Sequence, residues 1–319
     1  MEFKTLYGPV RSGRLGLSLG VDLLGQRICS MDCLYCEIGP TRAHTLKRHP
    51  YMPAKVILDE LHAWRRQELP RPEHITLGGL GEPCLNSDLP EIIAGCRELF
   101  PDIPVAVLTN STLLHDPAVR RELAAVQVVL PSLDSLVERE FLAVNRPCPG
   151  VDLLLITSGL LQLRREYTGL VCLEVLLLQG INDTQENLDL QRQFLTKLQP
   201  DRVDVVTMTR PGSSPLAKAV AKETLNSWRR ALAPLTPLAR MSAKPDRLEK
   251  HSTAGIMSAD TAMELVLNSL RRRPQTPEQL SAALSVDVMR TKTILDALLR
   301  EGRITKVRDF GDDFYHAVL

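Results

Sequence analysis

Residues 29–36 read Cys29-Ser30-Met31-Asp32-Cys33-Leu34-Tyr35-Cys36, three thiols within eight residues at C-x3-C-x2-C spacing. They follow an apolar run with the character of a strand, so they sit on the loop that leaves it. Thiols this close cannot pair off as disulfides without leaving one over, but they can grip one inorganic cluster. A cubane of four irons takes four ligands. A motif that supplies three leaves one iron open, and an open iron is where a small molecule binds and reacts. A zinc knuckle is the plain alternative, but zinc sites pair two C-x2-C units or combine Cys with His. No second pair follows here.

Upstream, Leu15, Leu17, Leu19 and Val21 alternate as in a strand with one buried face. Arg11 and Arg14 precede it, either as contacts to an anionic group or as solvated loop residues. The thiol loop runs from Gly25 to His44, long for a connection, and long loops are usually functional. A helix is predicted over 53–67, with Val56, Ile57, Leu61 and Trp64 on one face. A second strand, 74–77, ends in Gly78-Gly79-Leu80-Gly81-Glu82-Pro83. Glycines at a strand end let a ligand touch the backbone, and Glu82 there can accept from a ligand ammonium.

Asp88 is the expected cap of a helix to Leu99. A third strand, 105–108, ends in Thr109-Asn110-Ser111, polar residues at the end where barrel enzymes place their sites. A short helix over 118–125 leads to a fourth strand, 126–130, and to Pro131-Ser132-Leu133-Asp134. Asp134 is either a ligand contact or the N-cap of the helix that follows. The fifth strand, 170–178, is apolar except for Glu174, a carboxylate that needs a partner if buried. Gly180-Ile181-Asn182-Asp183 closes it and a helix runs to Leu198. The sixth strand, 203–206, leads to Arg210, a candidate for a substrate carboxylate or phosphate, and a helix is expected over 215–233. Glu174, Asn182 and Arg210 are the candidate substrate contacts.

Strands alternating with helices mean parallel pairing with right-handed crossovers. Six units do not close as eight do, so the expected fold is α/β, an open partial (βα)6 TIM-like barrel over 1–240. Residues 241–259 read as a linker. Residues 260–319 read as a small winged-helix-like domain of three helices and a β-hairpin. Residues 261–319 carry nine Lys/Arg against eight Asp/Glu, far from the basic footprint of a DNA reader. Arg271–Arg273, Arg290 and Lys292 form its local basic patch. RNA binding and protein docking both remain open for it.

The whole chain has 319 residues, 44% hydrophobic and 24% charged, with a net charge of +1. No global field steers it to nucleic acid or membrane. No run of 18 apolar residues suggests a membrane span, and the first residues lack an apolar signal core, so a cytoplasmic location is expected. Seven cysteines, an odd number, argue against a disulfide scaffold. Cys84 and Cys148 read as spare thiols, Cys96 and Cys172 as small core residues.

The C-x3-C-x-aromatic-C pattern, with Tyr35 as the aromatic, resembles the signature of the radical S-adenosylmethionine (SAM) superfamily. The resemblance implies a 4Fe–4S cluster on Cys29, Cys33 and Cys36 whose open iron chelates SAM. One electron from the reduced cluster then cleaves the sulfonium, and the resulting 5′-deoxyadenosyl radical takes hydrogen from a substrate. It further implies that Tyr35 packs near adenine, that Gly81 and Glu82 hold the SAM amino group, and that Asn110, Ser132 and Asp134 line the cofactor. A flavodoxin or ferredoxin would be the electron donor.

Tyr7-Gly8-Pro9-Val10 near the start, Gly81-Glu82-Pro83, Ser132-Leu133-Asp134, Asn145-Arg146-Pro147 and Gly180-Ile181-Asn182-Asp183 resemble one group in particular. These are the iron–sulfur oxidoreductases related to wyosine-type tRNA base synthases. The chain departs from those synthases in showing no upstream set of three cysteines for a second cluster. Three readings follow. The first is a radical SAM enzyme acting on a tRNA nucleoside. The second is an activase or peptide-modifying enzyme whose terminal domain docks a protein. The third is a winged-helix regulator with a redox-sensing cluster.

Overall fold

The computed structural model describes residues 3–67, 69–235 and 258–318. The expected linker over 241–259 lies almost entirely outside these. The chain opens with an antiparallel hairpin, β1 (Leu6–Ser12) and β2 (Gly16–Asp22), paired from Leu6 with Val21 to Ser12 with Gly16. Sequence alternation marks only β2. In β1, Gly8 and Pro9 break the pattern and the register shifts between Tyr7 and Val10.

The thiol loop follows. It contains two short paired segments, β3 (Ile28–Cys29) and β4 (Ala43–His44), and leads to α1 (Ala54–Arg65). From there strand and helix alternate: β5 (His74–Gly78), α2 (Leu89–Leu99), β6 (Val105–Thr109), α3 (Pro117–Leu123), β7 (Val128–Pro131), α4 (Glu138–Asn145) and α5 (Leu153–Glu166). β8 (Leu170–Leu177), α6 (Gln185–Leu198), β9 (Arg202–Thr207) and α7 (Lys222–Leu232) complete the series.

The main sheet has seven strands in the order β1-β2-β5-β6-β7-β8-β9. All six strands from β2 onward pair in parallel, as the alternation dictated. β1 adds an antiparallel edge. The curled sheet with its helices is a partial TIM barrel. Its main core joins β2, β5, β6 and β8 to the apolar faces of α1, α2 and α5. The face expected for α1 is largely correct: Ile57, Leu61 and Trp64 are buried, whereas Val56 is exposed.

Two helices differ from expectation. α5 was not expected: its buried face, Ile156, Gly159, Leu160 and Leu163, has helical spacing, but the apolar and exposed Leu154 and Leu155 in its first turn blur that pattern in the sequence. α7 begins at Lys222 rather than at residue 215, because Pro211-Gly212-Ser213-Ser214-Pro215 supplies turn residues and Ala219 bridges to Leu178.

The terminal segment folds as α8 (Ala259–Arg272), α9 (Pro277–Leu284), α10 (Val288–Arg300) and a hairpin, β10 (Ile304–Asp309) with β11 (Asp312–Ala317). Thr276 and Gln279 form a reciprocal capping box at the start of α9. These helices share a second core that also takes in Val10 of β1, so the terminal helices rest on the edge hairpin of the barrel. The contact is also polar. Arg272 donates to Asp22 (2.8 Å) and to the Lys4 carbonyl (2.8 Å), and its guanidinium lies 5.2 Å from the Tyr7 ring centre. No helix among the described residues is long and apolar enough to cross a membrane.

Candidate functional site

The thiol loop is fixed at both ends by main-chain bonds. Ile28 bridges Gly81: its N–H donates to Leu80 O (3.2 Å), and Glu82 N–H donates to Ile28 O (3.2 Å). A Cβ on Gly81 would lie 1.7 Å from the Ile28 carbonyl oxygen, so only glycine permits this approach. On the other side Asp32 N–H reaches Asn145 O (3.1 Å), Leu34 N–H reaches Val144 O (2.9 Å), and Cys148 N–H reaches Ser30 O (2.9 Å). Arg146 closes this flank with an ion pair to Asp32 (3.1 Å). The loop is therefore held between the end of β5 and the end of α4.

Cys29, Cys33 and Cys36 are all free thiols and all partly exposed, whereas the other four cysteines are buried. Asn110 Nδ2 lies 3.4 Å from Cys29 Sγ, and Asn145 Nδ2 lies 3.4 Å from Cys33 Sγ. The backbone amides of Ile38 and Gly39 face Cys36. Burial pushes the Cys29 thiol up to about 12, with nearby Glu82 adding to it. Burial likewise raises Cys33 and Cys36. Iron would replace those protons and deliver the thiolates' charge to a cation.

Among the described residues no three His, Cys, Asp or Glu side chains are close enough to hold a single metal ion. A cubane takes each thiolate on a different iron, so its ligands stand farther apart. Three partly exposed thiols on one loop, each faced by an amide N–H, are a donor set of the kind such a cluster takes.

Glu82 stands beside this loop, almost fully buried. Its Oε1 accepts from Thr109 Oγ1 (2.8 Å) and Cys84 N–H (3.0 Å), and its Oε2 from Asn110 N–H (2.6 Å). A carboxylate offers about four acceptor sites, so Oε2 keeps one acceptor site beyond these three donors. Burial raises the Glu82 pKa, while the Asn110, Thr109 and Cys84 donors oppose the rise.

Tyr35, Asn110, Ser132, Asp134 and Asn145 line one small cavity. Sequence reasoning proposed four of these five. Asn145 was quoted only within a motif, and it proves central. Asp134 does not cap α4, whose N-cap is Val137. Its Oδ2 accepts from Tyr35 Oη (2.6 Å) and Asn145 Nδ2 (2.7 Å), and its Oδ1 from Leu176 N–H (2.9 Å). Asp134 thus ties the thiol loop to β7 and β8.

The three candidate substrate contacts separate. Glu174 lies on β8 and pairs with Arg14 from the β1–β2 turn. Asn182 is fully buried. Its amide accepts from Leu178 N–H (2.7 Å) and donates to Asp134 O (2.9 Å) and Leu176 O (2.8 Å), so it braces backbone. Arg210 joins the thiol loop to the terminal helices, reaching Glu37 (3.2 Å) and Gln279 Oε1 (3.2 Å).

Comparison with known proteins places this arrangement. A protein named GTPase Obg from Brachyspira hyodysenteriae is 31% identical over 304 residues, 95% of this chain and 44% of that protein. The chain therefore spans less than half the length of that relative. A UPF0026 protein from Synechocystis sp. is 36% identical over 210 residues, 66% of this chain and 77% of its own. A radical SAM methyltransferase from Sphaerobacter thermophilus shares the fold at 19% identity and a TM-score of 0.53, over 68% of this chain and 63% of that one.

Radical SAM proteins bind a 4Fe–4S cluster and SAM. The sequence profile of the radical SAM superfamily matches residues 23–190, from the end of β2 into α6, and the chain belongs to that superfamily.

Proposed function

We propose that Cys29, Cys33 and Cys36 hold the 4Fe–4S cluster, that Gly81 and Glu82 receive the amino group of SAM, and that the substrate is a tRNA nucleoside. The observation that carries this reading is the Ile28–Gly81 bridge, which sets the thiol loop and the Glu82 carboxylate side by side. When bound to Cys29, Cys33 and Cys36 and reduced, the cluster would supply the single electron for reductive cleavage of SAM, the chemistry that would start hydrogen abstraction from the substrate.

The chain's own residues bind, orient and exclude water. Asn110 and Asn145 direct amide N–H groups at two of the thiolates. Gly81 brings the Glu82 loop against Ile28 without a side chain between them. Tyr35, held by Asp134, would pack near adenine. Asn110 and Ser132 offer polar groups to the ribose or methionine portion. The nucleoside substrate rests on the resemblance to the wyosine-related group, and a flavodoxin or ferredoxin would supply the electron.

Anaerobic reconstitution tests the site. The wild type should turn brown and release 5′-deoxyadenosine from SAM under strong reductant, and Cys33→Ala should lose both. Undiminished cleavage in Cys33→Ala would refute the assignment. Nucleoside profiles of tRNA from cells with and without the protein test the substrate; identical profiles would remove tRNA and favour a peptide or protein.

A further inference from the structure

The net charge of +1 hides a strong local asymmetry. A cavity of about 570 Å³ opens between the thiol loop and the terminal helices. Arg27 and Arg42 stand on its loop side, and Arg271, Arg272 and Arg273 at the end of α8. Among the described residues that line it, five guanidiniums stand with one carboxylate, Glu37, which is already paired with Arg210. A second cavity of about 340 Å³ adjoins and shares Arg27, Arg42, Arg271 and Arg272.

Three of the five arginines have structural duties. Arg27 donates to Ile38 O (3.2 Å), Arg271 to Asn268 Oδ1 (3.0 Å) and Arg272 to Asp22 (2.8 Å). Arg42 and Arg273 make no side-chain hydrogen bond or ion pair with the described residues. Burial, and after it the Arg210 charge, push the Arg273 pKa down. An uncompensated cation in a cleft calls for an anion, because low-dielectric walls focus its field.

From this cleft we infer a binding site for the phosphate groups of a nucleotide-containing substrate, with Arg42 and Arg273 as its free ligands. Arginine's planar fork matches phosphate oxygens in pairs. The volume exceeds what one inorganic ion needs, and the exposed Val307 and Val318 give part of the wall an apolar surface on which a base can rest. The cleft also shares a wall with the cluster site. Ile38 and Gly39 line it, and their amides face Cys36. A phosphate held here anchors its nucleoside beside the reacting centre. This deepens the nucleoside reading above and rests on it.

The test is binding to the reconstituted full-length protein, read by fluorescence anisotropy. Labelled 12-mer single-stranded RNA is the probe, with unlabelled tRNA, guanosine monophosphate and poly-glutamate as competitors. Each arginine engaged with phosphate should contribute about one unit to the slope of log affinity against log salt. Arg42→Ala and Arg273→Gln together should weaken RNA binding at least tenfold and lower that slope by about two. Arg308→Ala, on the exposed β10 face, should do neither; equal thermal melts of the variants keep the comparison fair.

Competition by the mononucleotide equal to that by RNA assigns the site to one phosphate, and competition by RNA and tRNA alone assigns it to a strand. Both outcomes support the site. Undiminished binding in the double variant, or poly-glutamate competing as well as RNA, would overturn it. A wild type that cleaves SAM but binds no RNA or nucleotide sinks this inference alone. One that binds them without cleaving SAM sinks the cluster assignment alone.

Discussion

Asp22→Ala should cost more stability than any other single change at the barrel mouth. Asp22 ends β2 with no exposed side-chain surface. Its Oδ1 accepts from Leu24 N–H (3.2 Å) and Leu80 N–H (3.1 Å), and its Oδ2 from Gly25 N–H (3.2 Å) and Arg272 (2.8 Å). Truncation leaves three amides without an acceptor, each costing about 1–3 kcal/mol if water does not replace it. It also strands the Arg272 guanidinium, whose side chain is only 13% exposed; losing one partner of a buried pair costs about 3–5 kcal/mol.

These penalties overlap, so the expected loss is about 3–5 kcal/mol, a large part of the roughly 5–15 kcal/mol that holds a folded domain. Arg272→Ala should cost less, because Asp22 keeps its three amides. Urea unfolding of both single variants and the double variant measures this. The double-variant cycle should show a coupling of about 1–3 kcal/mol. A loss below about 1 kcal/mol in Asp22→Ala, or simple additivity, would refute the view that this pair clamps the terminal helices to the barrel.

Gly81→Ala drives a Cβ into the Ile28 carbonyl; it should abolish SAM cleavage even where circular dichroism shows a folded barrel, and wild-type cleavage would contradict the close approach. Tyr35→Phe removes the 2.6 Å bond to buried Asp134 and should lower stability by about 1–3 kcal/mol in chemical denaturation. For Glu174, burial raises the pKa above 4.5 and Asp134 and Asp204 add to the rise, while Arg14 opposes it. The folded state therefore binds this proton more tightly than the unfolded chain does. Its stabilising contribution is complete below pH 4.5 and is lost as pH rises through the folded pKa. Glu174→Gln should flatten that fall, so a wild type and variant with parallel stability–pH curves above pH 4.5 would contradict the assignment.

The parallel strands were legible because each is a short β-branched or leucine-rich run ending in glycine or polar residues. The thiol motif and Gly81-Glu82 stand out in the sequence because each is local to a few residues, and the fold sets them side by side. What escaped the sequence was long-range. Asp134 looks like a helix cap in isolation, and only the fold brings Tyr35 and Asn145, 99 and 11 residues away, onto its oxygens. Asn182 looks like a polar loop residue, yet its amide serves three backbone groups. Arg273 reads as one charge in a basic triplet until Arg27 and Arg42 arrive opposite it from the thiol loop.

The bonds that seat the thiol loop run mostly through peptide groups: Ile28 to Leu80 and Glu82, Asp32 and Leu34 to the last turn of α4, Cys148 to Ser30. Peptide groups are the same whatever residue carries them. The cradle is therefore insulated from most side-chain exchange around it, and the walls facing the terminal helices can be rewritten without moving the thiols. An engineer wishing to alter this protein has that far wall to work on, and good reason to leave the seat of the three thiols alone.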